Sequence, residues 1–162
     1  MFDIFHAVEY LHKQSPKIIH RDIKPENILF FSGKLKLADF GSSNVKDRVN
    51  STTMCGTPEY ISPEMMLKQG HDEKLDIWAL GILVYELLTG ETPFAKMIIS
   101  ENATKAEIFN SLANFIISEE IYYPPDLSPE ALSLLKFCLM KNPAQRASAY
   151  ECVRHEFFTN KG

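Results

Sequence analysis

A fourteen-residue apolar stretch in the middle of the chain places the strongest constraint on its fold. The stretch, LDIWALGILVYELL, covers residues 75–88 and contains two acidic residues, Asp76 and Glu86. It is shorter than the roughly 18 apolar residues that a membrane-spanning helix needs, and its two carboxylates disfavour a lipid environment. We therefore expect a helix over about 75–88 that is buried in a protein core, and we expect no association with a membrane.

Composition narrows the class of protein further. The 162 residues are 45% hydrophobic and 23% charged, which is typical of a single globular domain with its own core. The net charge of −4 gives no basic excess of the kind that nucleic-acid binders usually carry. Cys55, Cys138 and Cys152 are far apart and show no CxxC spacing, so the sequence predicts neither disulfides nor zinc and favours an intracellular location.

The remaining periodicity predicts a mainly α fold with a small β-hairpin. Apolar residues three or four apart indicate a helix over 2–14 that ends at Ser15-Pro16. Two short strands, 28–31 and 34–38, flank a Ser32-Gly33 turn. No sustained period covers 42–64, where we expect a long loop, and further helices are predicted over 103–117, 129–140 and 148–157.

Polar residues suited to phosphoryl transfer are concentrated around the hairpin. The sequence HRDIKPEN occupies positions 20–27, and DFG occupies 39–41. Asp22 can accept or orient the proton of an attacking hydroxyl, and Lys24 supplies positive charge for the moving phosphoryl group. Asn27 and Asp39 offer hard oxygen ligands for Mg²⁺, and the hairpin between them brings the two together.

These two segments resemble the catalytic loop and the magnesium-binding loop of eukaryotic protein kinases, and Lys24 resembles the serine/threonine branch. The resemblance continues through CGTPEYISPE at 55–64, which is similar to the end of a kinase activation segment with Ser62 in place of the usual Ala. DIWALG at 76–81 resembles the central buried helix. Asn142-Pro143 with Arg146 resembles the segment whose arginine pairs with the glutamate at position 64.

The resemblance implies roles for several residues and a set of small molecules. ATP and Mg²⁺ are the implied cofactors, with Asn27 and Asp39 as metal ligands. The positions implied to line the nucleotide are Glu26, Asn27, Leu29, Ala38 and Asp39. Thr57 is implied to hydrogen-bond Asp22 and Lys24. Thr53 is the implied regulatory phosphosite, where a phosphate would form charge-assisted bonds with Arg21.

A subfamily resemblance points to the Aurora-type kinases. It rests on TTMCGT at 52–57 and HDEKLD at 71–76. Asn50 and Ser51 stand where those kinases usually carry arginines, a departure that bears on self-phosphorylation of this loop. By this resemblance the location would be the cytoplasm or nucleus, with the spindle or centrosome as a specific expectation.

The same comparison predicts that only one lobe of a kinase is present. The seven glycines contain no GxG spacing, and only 19 residues precede His20. We therefore expect residues 1–158 to form the C-terminal lobe, followed by a tail at 159–162, with the N-terminal lobe absent. Half of the nucleotide pocket would then be missing, so we expect the chain alone to have no substantial kinase activity.

Three functional classes remain open at this point. The first is a serine/threonine protein kinase acting on protein substrates, with an activating or regulatory protein as a further partner. The second is a lobe-only, pseudokinase-like binding or regulatory module. The third, a small-molecule phosphotransferase of related fold, is disfavoured by Lys24 and by the segment 56–64.

Some residues of the motifs have a simpler structural role. We expect His20 to pack against Phe40 and not to shuttle protons. Trp78 and its apolar neighbours at helical spacing belong to the core. Asp76 is implied to hold the backbone of the catalytic loop, and Cys55 to be a small packed residue.

Overall fold

The computed structural model describes residues 1–45, 58–95 and 103–159. About half of the described residues are helical, and two small antiparallel sheets within these ranges have two strands each. No helix within these described ranges is both long enough and apolar enough to cross a bilayer.

The predicted central helix is present and forms the axis of the core. α3 covers Lys74–Thr89, and residues 75–85 are buried on every side. Gly90 ends the helix with φ +85°, a left-handed conformation that suits glycine, and its N–H donates to the Glu86 carbonyl at 2.7 Å. Trp78 is fully buried and stacks on Phe94, with 6.4 Å between ring centroids. The other elements cover the helix on all sides over residues 75–85, whereas Leu87 and Leu88 in its last turn are exposed.

The other helices pack around α3. The structure places them at Phe2–His12 (α1), Pro63–Met66 (α2), Lys105–Ser118 (α4), Pro129–Cys138 (α5), Ala149–Cys152 (α6) and Glu156–Thr159 (α7). Capping residues explain three of the starts, since Thr104, Ser128 and Ser148 each accept a hydrogen bond from a backbone N–H of the first turn. The helices predicted from periodicity therefore begin close to where the sequence indicated.

The predicted hairpin is present, and its second strand is one residue shorter than predicted. β2 covers Ile28–Phe31 and pairs with β3, Lys34–Leu37, so that Ile28 faces Leu37 and Phe31 faces Lys34. Ser32 and Gly33 make the turn, both with positive φ. Asp3 in α1 accepts a hydrogen bond from the Leu35 N–H at 3.2 Å, which holds the hairpin against the first helix.

Two features differ from the sequence-based prediction. A second antiparallel pair joins β1, Ile18–Ile19, to β4, Asn44–Val45. Its strands are too short to show a period, and their pairing spans more than 20 residues. The helix predicted over 148–157 is divided into α6 and α7, because His155 between them is tied to α5 by a 3.0 Å bond with Ser133 and accepts a hydrogen bond from the Phe157 N–H.

Candidate functional site

A buried aspartate organises the backbone of the polar loop, residues 20–27. Asp76 is completely buried near the start of α3, and its carboxylate accepts hydrogen bonds from the backbone N–H groups of His20 and Arg21, both at 2.9 Å. Nε2 of His12 donates to the same carboxylate at 2.8 Å. The structural role expected for Asp76 is present, and three hydrogen bonds compensate for the burial of its carboxylate.

The backbone conformation of Arg21 depends on these hydrogen bonds. Its φ of +72° lies in the left-handed region, which costs a residue other than glycine of the order of 1–3 kcal/mol. The bond from its N–H to Asp76 Oδ1 offsets that cost. The polar loop is therefore held in one conformation before any substrate binds.

Three of the predicted catalytic and metal-binding residues meet at Asp22. Nζ of Lys24 lies 3.1 Å from Oδ2 of Asp22. Nδ2 of Asn27 donates to the same oxygen at 2.9 Å and to the Asp22 backbone carbonyl at 2.7 Å. The carboxylate is thus oriented by one cation and one amide, which is the arrangement that a base acting on a hydroxyl requires.

The hairpin brings the two candidate metal ligands to one edge. The N–H of Ala38 donates to the Asn27 carbonyl at 2.8 Å, so Ala38 lies opposite Asn27. Asp39 is the next residue along the chain. Asp39 has φ +60°, and its Oδ1 accepts from the Gly41 N–H at 3.1 Å. Because Asn27 uses its amide nitrogen toward Asp22, its amide oxygen is the atom suited to a cation.

This donor set fits Mg²⁺ better than a transition metal. The described residues contain no cluster of three or more His, Cys, Asp or Glu side chains able to hold a metal ion. One amide oxygen and one exposed carboxylate leave most of an octahedral shell to water and phosphate oxygens, as Mg²⁺ prefers.

His20 has the structural role expected from the sequence. The residue is fully buried, and its ring packs edge-on against Phe40 with 4.9 Å between centroids. Nε2 donates to the Ala38 carbonyl at 3.1 Å, while Nδ1 accepts from the Asp22 N–H at 3.4 Å. Through these two bonds the ring links the polar loop to the segment before Asp39.

The positions expected to line a nucleotide form an open surface. Leu29 on β2 is 53% exposed, Ala38 is half-buried, and Glu26 lies exposed in a short 3₁₀ turn at Pro25–Asn27. Phe40 beside them is 49% exposed. Within the described part of the chain, this face carries apolar side chains that nothing covers.

A buried ion pair anchors the far side of the site, as the sequence indicated. Arg146 donates from Nη1 and Nη2 to the two carboxylate oxygens of Glu64, at 2.7 and 2.9 Å. Arg146 also donates to the backbone carbonyls of Met140 and Lys74, both at 2.9 Å. This bidentate arrangement ties the start of α2 to the loop before α6.

Two further side chains near the loop carry shifted pKa values. Burial raises the pKa of Tyr60 well above its usual range. The Glu86 carboxylate, which accepts a hydrogen bond from the Tyr60 hydroxyl, raises this pKa further. Burial lowers the pKa of His71, and the nearby positive charge of Arg21 lowers it further. The contacts of Glu86 and His12 were not predicted from the sequence, although Glu86 is a charged residue within an apolar helix.

Residues 1–158 match the family described as the protein kinase domain. The chain belongs to the protein kinase family. It is 39% identical to an Aurora kinase of Dictyostelium discoideum and 43% identical to Aurora kinase A-B of Xenopus laevis, each over 150 residues and 92% of this chain. A serine/threonine-protein kinase of Arabidopsis thaliana, AtPK2/AtPK19, is 39% identical over 96% of this chain.

The kinase resemblance inferred from the motifs is therefore confirmed, including the similarity to Aurora kinases. These matches cover 36%, 34% and 32% of the three relatives, so the chain spans about a third of their length. Of the predicted site residues, Thr53 and Thr57 lie outside the described residues of this kinase chain. The structure brings Asp22, Lys24 and Asn27 together and places Asp39 at the adjoining edge of the hairpin.

Proposed function

We propose that residues 1–158 are the C-terminal lobe of a serine/threonine protein kinase, which transfers a phosphoryl group from ATP to a hydroxyl of a protein substrate. The observation that carries the proposal is the carboxylate of Asp22, which Lys24 and Asn27 contact on a loop held by the buried Asp76. Membership of the protein kinase family and the similarity to named serine/threonine and Aurora kinases support it.

Each residue of the loop then has a defined task. Asp22 accepts the proton of the substrate hydroxyl as the hydroxyl oxygen attacks the terminal phosphorus of ATP. Lys24 offsets the negative charge on the transferred phosphoryl group, since its Nζ already lies at the Asp22 carboxylate. Asn27 keeps Asp22 oriented through two hydrogen bonds from its amide nitrogen, one to the carboxylate and one to the backbone carbonyl.

Asn27 and Asp39 are the residues that would hold Mg²⁺. When bound, the ion would neutralise phosphate charge and orient the terminal phosphoryl group. Glu26, Leu29 and Ala38 would line the nucleotide, with the exposed side chain of Leu29 under the adenine. A glycine-rich loop, a strand lysine and a helix glutamate, which the resemblance places before residue 20, are required in addition.

Regulation belongs to the same proposal. Phosphorylation of Thr53 would place a charged group within reach of Arg21, whose backbone is fixed beside the catalytic aspartate. Thr57 would hydrogen-bond Asp22 and Lys24. The proposed partners are a protein substrate and an activating or regulatory protein, and the proposed location is intracellular, in the cytoplasm or nucleus.

The decisive experiment replaces the proposed base. The protein as its cells produce it is purified as wild type and as Asp22→Asn, and phosphate transfer from labelled ATP to a mixture of Ser- and Thr-containing peptides is measured with Mg²⁺. We expect Asp22→Asn to lower the rate by about 100- to 10,000-fold. Glu119→Gln, which removes an exposed carboxylate outside the site, serves as the matched control and should retain the wild-type rate.

A second candidate is a binding or regulatory module that performs no phosphoryl transfer. The exposed apolar side chains of Leu29, Phe30 and Phe31 favour it, because an uncovered apolar surface is typical of an interaction site. Equal phosphate transfer by wild type and Asp22→Asn, or none by either, would contradict the kinase proposal and leave this module as the better description.

A further inference from the structure

Two of the three cysteines meet inside the fold, although the sequence predicts no disulfide. Cys138 is the last residue of α5 and Cys152 the last residue of α6, and both are fully buried free thiols. Their sulfur atoms lie 3.7 Å apart and share an S–H hydrogen bond across 14 positions of the chain. The spacing of the cysteines does not indicate this contact, because it depends on how α6 packs against α5.

The contact is close to the geometry of a disulfide. A disulfide places its two sulfur atoms about 2.05 Å apart, so these sulfurs would have to approach by about 1.7 Å. Cys138 has α3 directly behind it, since its Cβ would lie 2.8 Å from a Cβ added at Gly81. Rotation about the Cα–Cβ bond of Cys152, on the shorter helix, therefore supplies most of the movement.

The two thiols are neutral partners in the resting fold. The hydrogen bond with Cys152 raises the pKa of Cys138 well above its usual range, and burial raises it further. The residues that the structure describes contain no group of three or more His, Cys, Asp or Glu side chains that would make this pair part of a metal site. The chemistry that suits two thiols in contact is oxidation to a disulfide.

We propose that Cys138 and Cys152 are a reversible modification site, which a hydroperoxide such as hydrogen peroxide converts to a disulfide between α5 and α6. One sulfur, as its thiolate, attacks a peroxide oxygen, the O–O bond breaks, and the hydroxide that leaves takes up the thiol proton as water. The second sulfur then attacks the sulfenic acid, the S–O bond breaks, and the second thiol proton leaves with that hydroxide as water. Two thiols and one peroxide give one disulfide and two waters, independently of the proposed phosphoryl transfer.

The oxidant reaches the buried pair by local opening of α6. This helix has four residues, Ala149–Cys152, and α7 after it also has four. Helices this short are stable only through their packing, and such elements open at a lower cost than unfolding of the whole chain. Tyr150 and Glu151, directly before Cys152, are exposed, so the opening required is small. Hydrogen peroxide is uncharged and little larger than water.

The disulfide would close a loop that carries a buried ion pair. Residues 139–151 lie between the two cysteines and include Arg146, which pairs with Glu64 at the start of α2. A cross-link at both ends of this loop restricts the unfolded chain and leaves the ion pair in place. Oxidation should therefore stabilise the fold.

Peptide mapping of the full chain tests the proposal. The reduced chain is treated with hydrogen peroxide without denaturant, its remaining thiols are alkylated in urea, and it is digested with trypsin. We expect a species joining peptides 137–141 and 147–154, with the summed mass less two hydrogen atoms, and dithiothreitol should separate it. Oxidation of Met140 adds one oxygen to the first peptide and is counted separately. The unfolding temperature of the oxidised chain should rise by about 6 °C or more.

Two variants assign the effect to this pair. Cys152→Ala removes one sulfur, so peroxide should give neither the cross-linked species nor the higher unfolding temperature. Cys55→Ser removes the thiol outside the pair and should retain both. The peptide map of the wild type depends on neither variant, so the test stands even where Cys152→Ala lowers the yield of folded chain.

Three results would overturn the proposal. Full alkylation of Cys138 and Cys152 after excess peroxide would leave them as packed core residues only. Disulfides from Cys55 to either of them, in amounts equal to the expected species, would show that the native contact does not direct the pairing. A lower unfolding temperature of the cross-linked chain would show that the disulfide does not fit the fold.

Discussion

At the scale of single residues, the buried carboxylates and the buried Arg146 in the described part of the chain have specific partners. Asp76 accepts two backbone N–H groups and contacts His12, while Glu64 and Arg146 form a bidentate pair with almost no exposure. Taking such charges out of water is expensive, so each pair is stable only while both members are present. Replacing one member of a buried ion pair should therefore lower the stability of the chain more than replacing both members.

The ion pair offers a direct test of that rule. Arg146→Met leaves the Glu64 carboxylate buried without its cation, and we expect it to lower the free energy of unfolding by about 3–5 kcal/mol. The double variant Glu64→Leu with Arg146→Met removes both charges and should be destabilised by less than Arg146→Met alone. Urea unfolding monitored by the fluorescence of Trp78, which lies next to Arg146, measures all three proteins.

A double variant that is less stable than Arg146→Met would contradict this account. It would indicate that the bonds from Arg146 to the backbone carbonyls of Met140 and Lys74, and not the pairing with Glu64, carry most of its contribution.

At the scale of elements, a close contact between α3 and the end of α5 depends on a residue without a side chain, Gly81. Gly81 lies in the middle of α3, and a Cβ added there would lie 2.6 Å from Leu139 Cδ2 and 2.8 Å from Cys138 Cβ. Helix propensity alone favours alanine over glycine by about 1 kcal/mol. The packing of α3 against the end of α5 reverses that preference, because a well-packed core has no space for an added methyl group.

We therefore expect Gly81→Ala to destabilise the chain by about 1–3 kcal/mol, in spite of its better helix propensity. Gly70→Ala is the matched control, because nothing lies within 4 Å of a Cβ there and its φ is not positive. Thermal unfolding should show a lower transition temperature for Gly81→Ala and an unchanged or higher one for Gly70→Ala. A stabilised Gly81→Ala would mean that α5 can move away from α3 without loss.

At the scale of the whole molecule, the face that carries the proposed site is open on one side. Leu29 and Phe40 are exposed, and Phe40 directly follows Asp39, so a nucleotide on this face would touch protein on one side only. Ligand sites with high affinity bury most of the ligand surface. The described residues therefore hold the proposed catalytic groups without the enclosure that a tight nucleotide site needs.

Calorimetric titration of the 162-residue chain with Mg²⁺ and ATP measures this effect. We expect a dissociation constant no tighter than about 1 mM, because burial of the adenine on one side forfeits much of its apolar contact. Leu29→Ser should change this dissociation constant little, because the adenine is buried on one side only. Micromolar binding that Asp39→Asn abolishes would show that the open face suffices, and would contradict the expectation that this chain alone has no substantial kinase activity.

Several properties could be predicted from the residues alone because they depend on local patterns. The length and composition of α3, the alternation in the hairpin and the capping residues Thr104, Ser128 and Ser148 act within a few positions along the chain. The spacing of Asp22, Lys24 and Asn27 within one loop is also local, and so is the hairpin that leads to Asp39. The motifs at 20–27 and 39–41 were sufficient to predict the family, and the roles of their residues stay a prediction.

Other properties were decided only by contacts between distant parts of the chain. The pairing of β1 with β4 joins two-residue strands that have no pattern of their own, and the contact of His12 with Asp76 spans 64 positions. The division of the last predicted helix follows from the attachment of His155 to α5. The contact between Cys138 and Cys152 exists only because the ends of α5 and α6 come together. Such contacts depend on how whole elements pack, and the local pattern of residues carries no information about that packing.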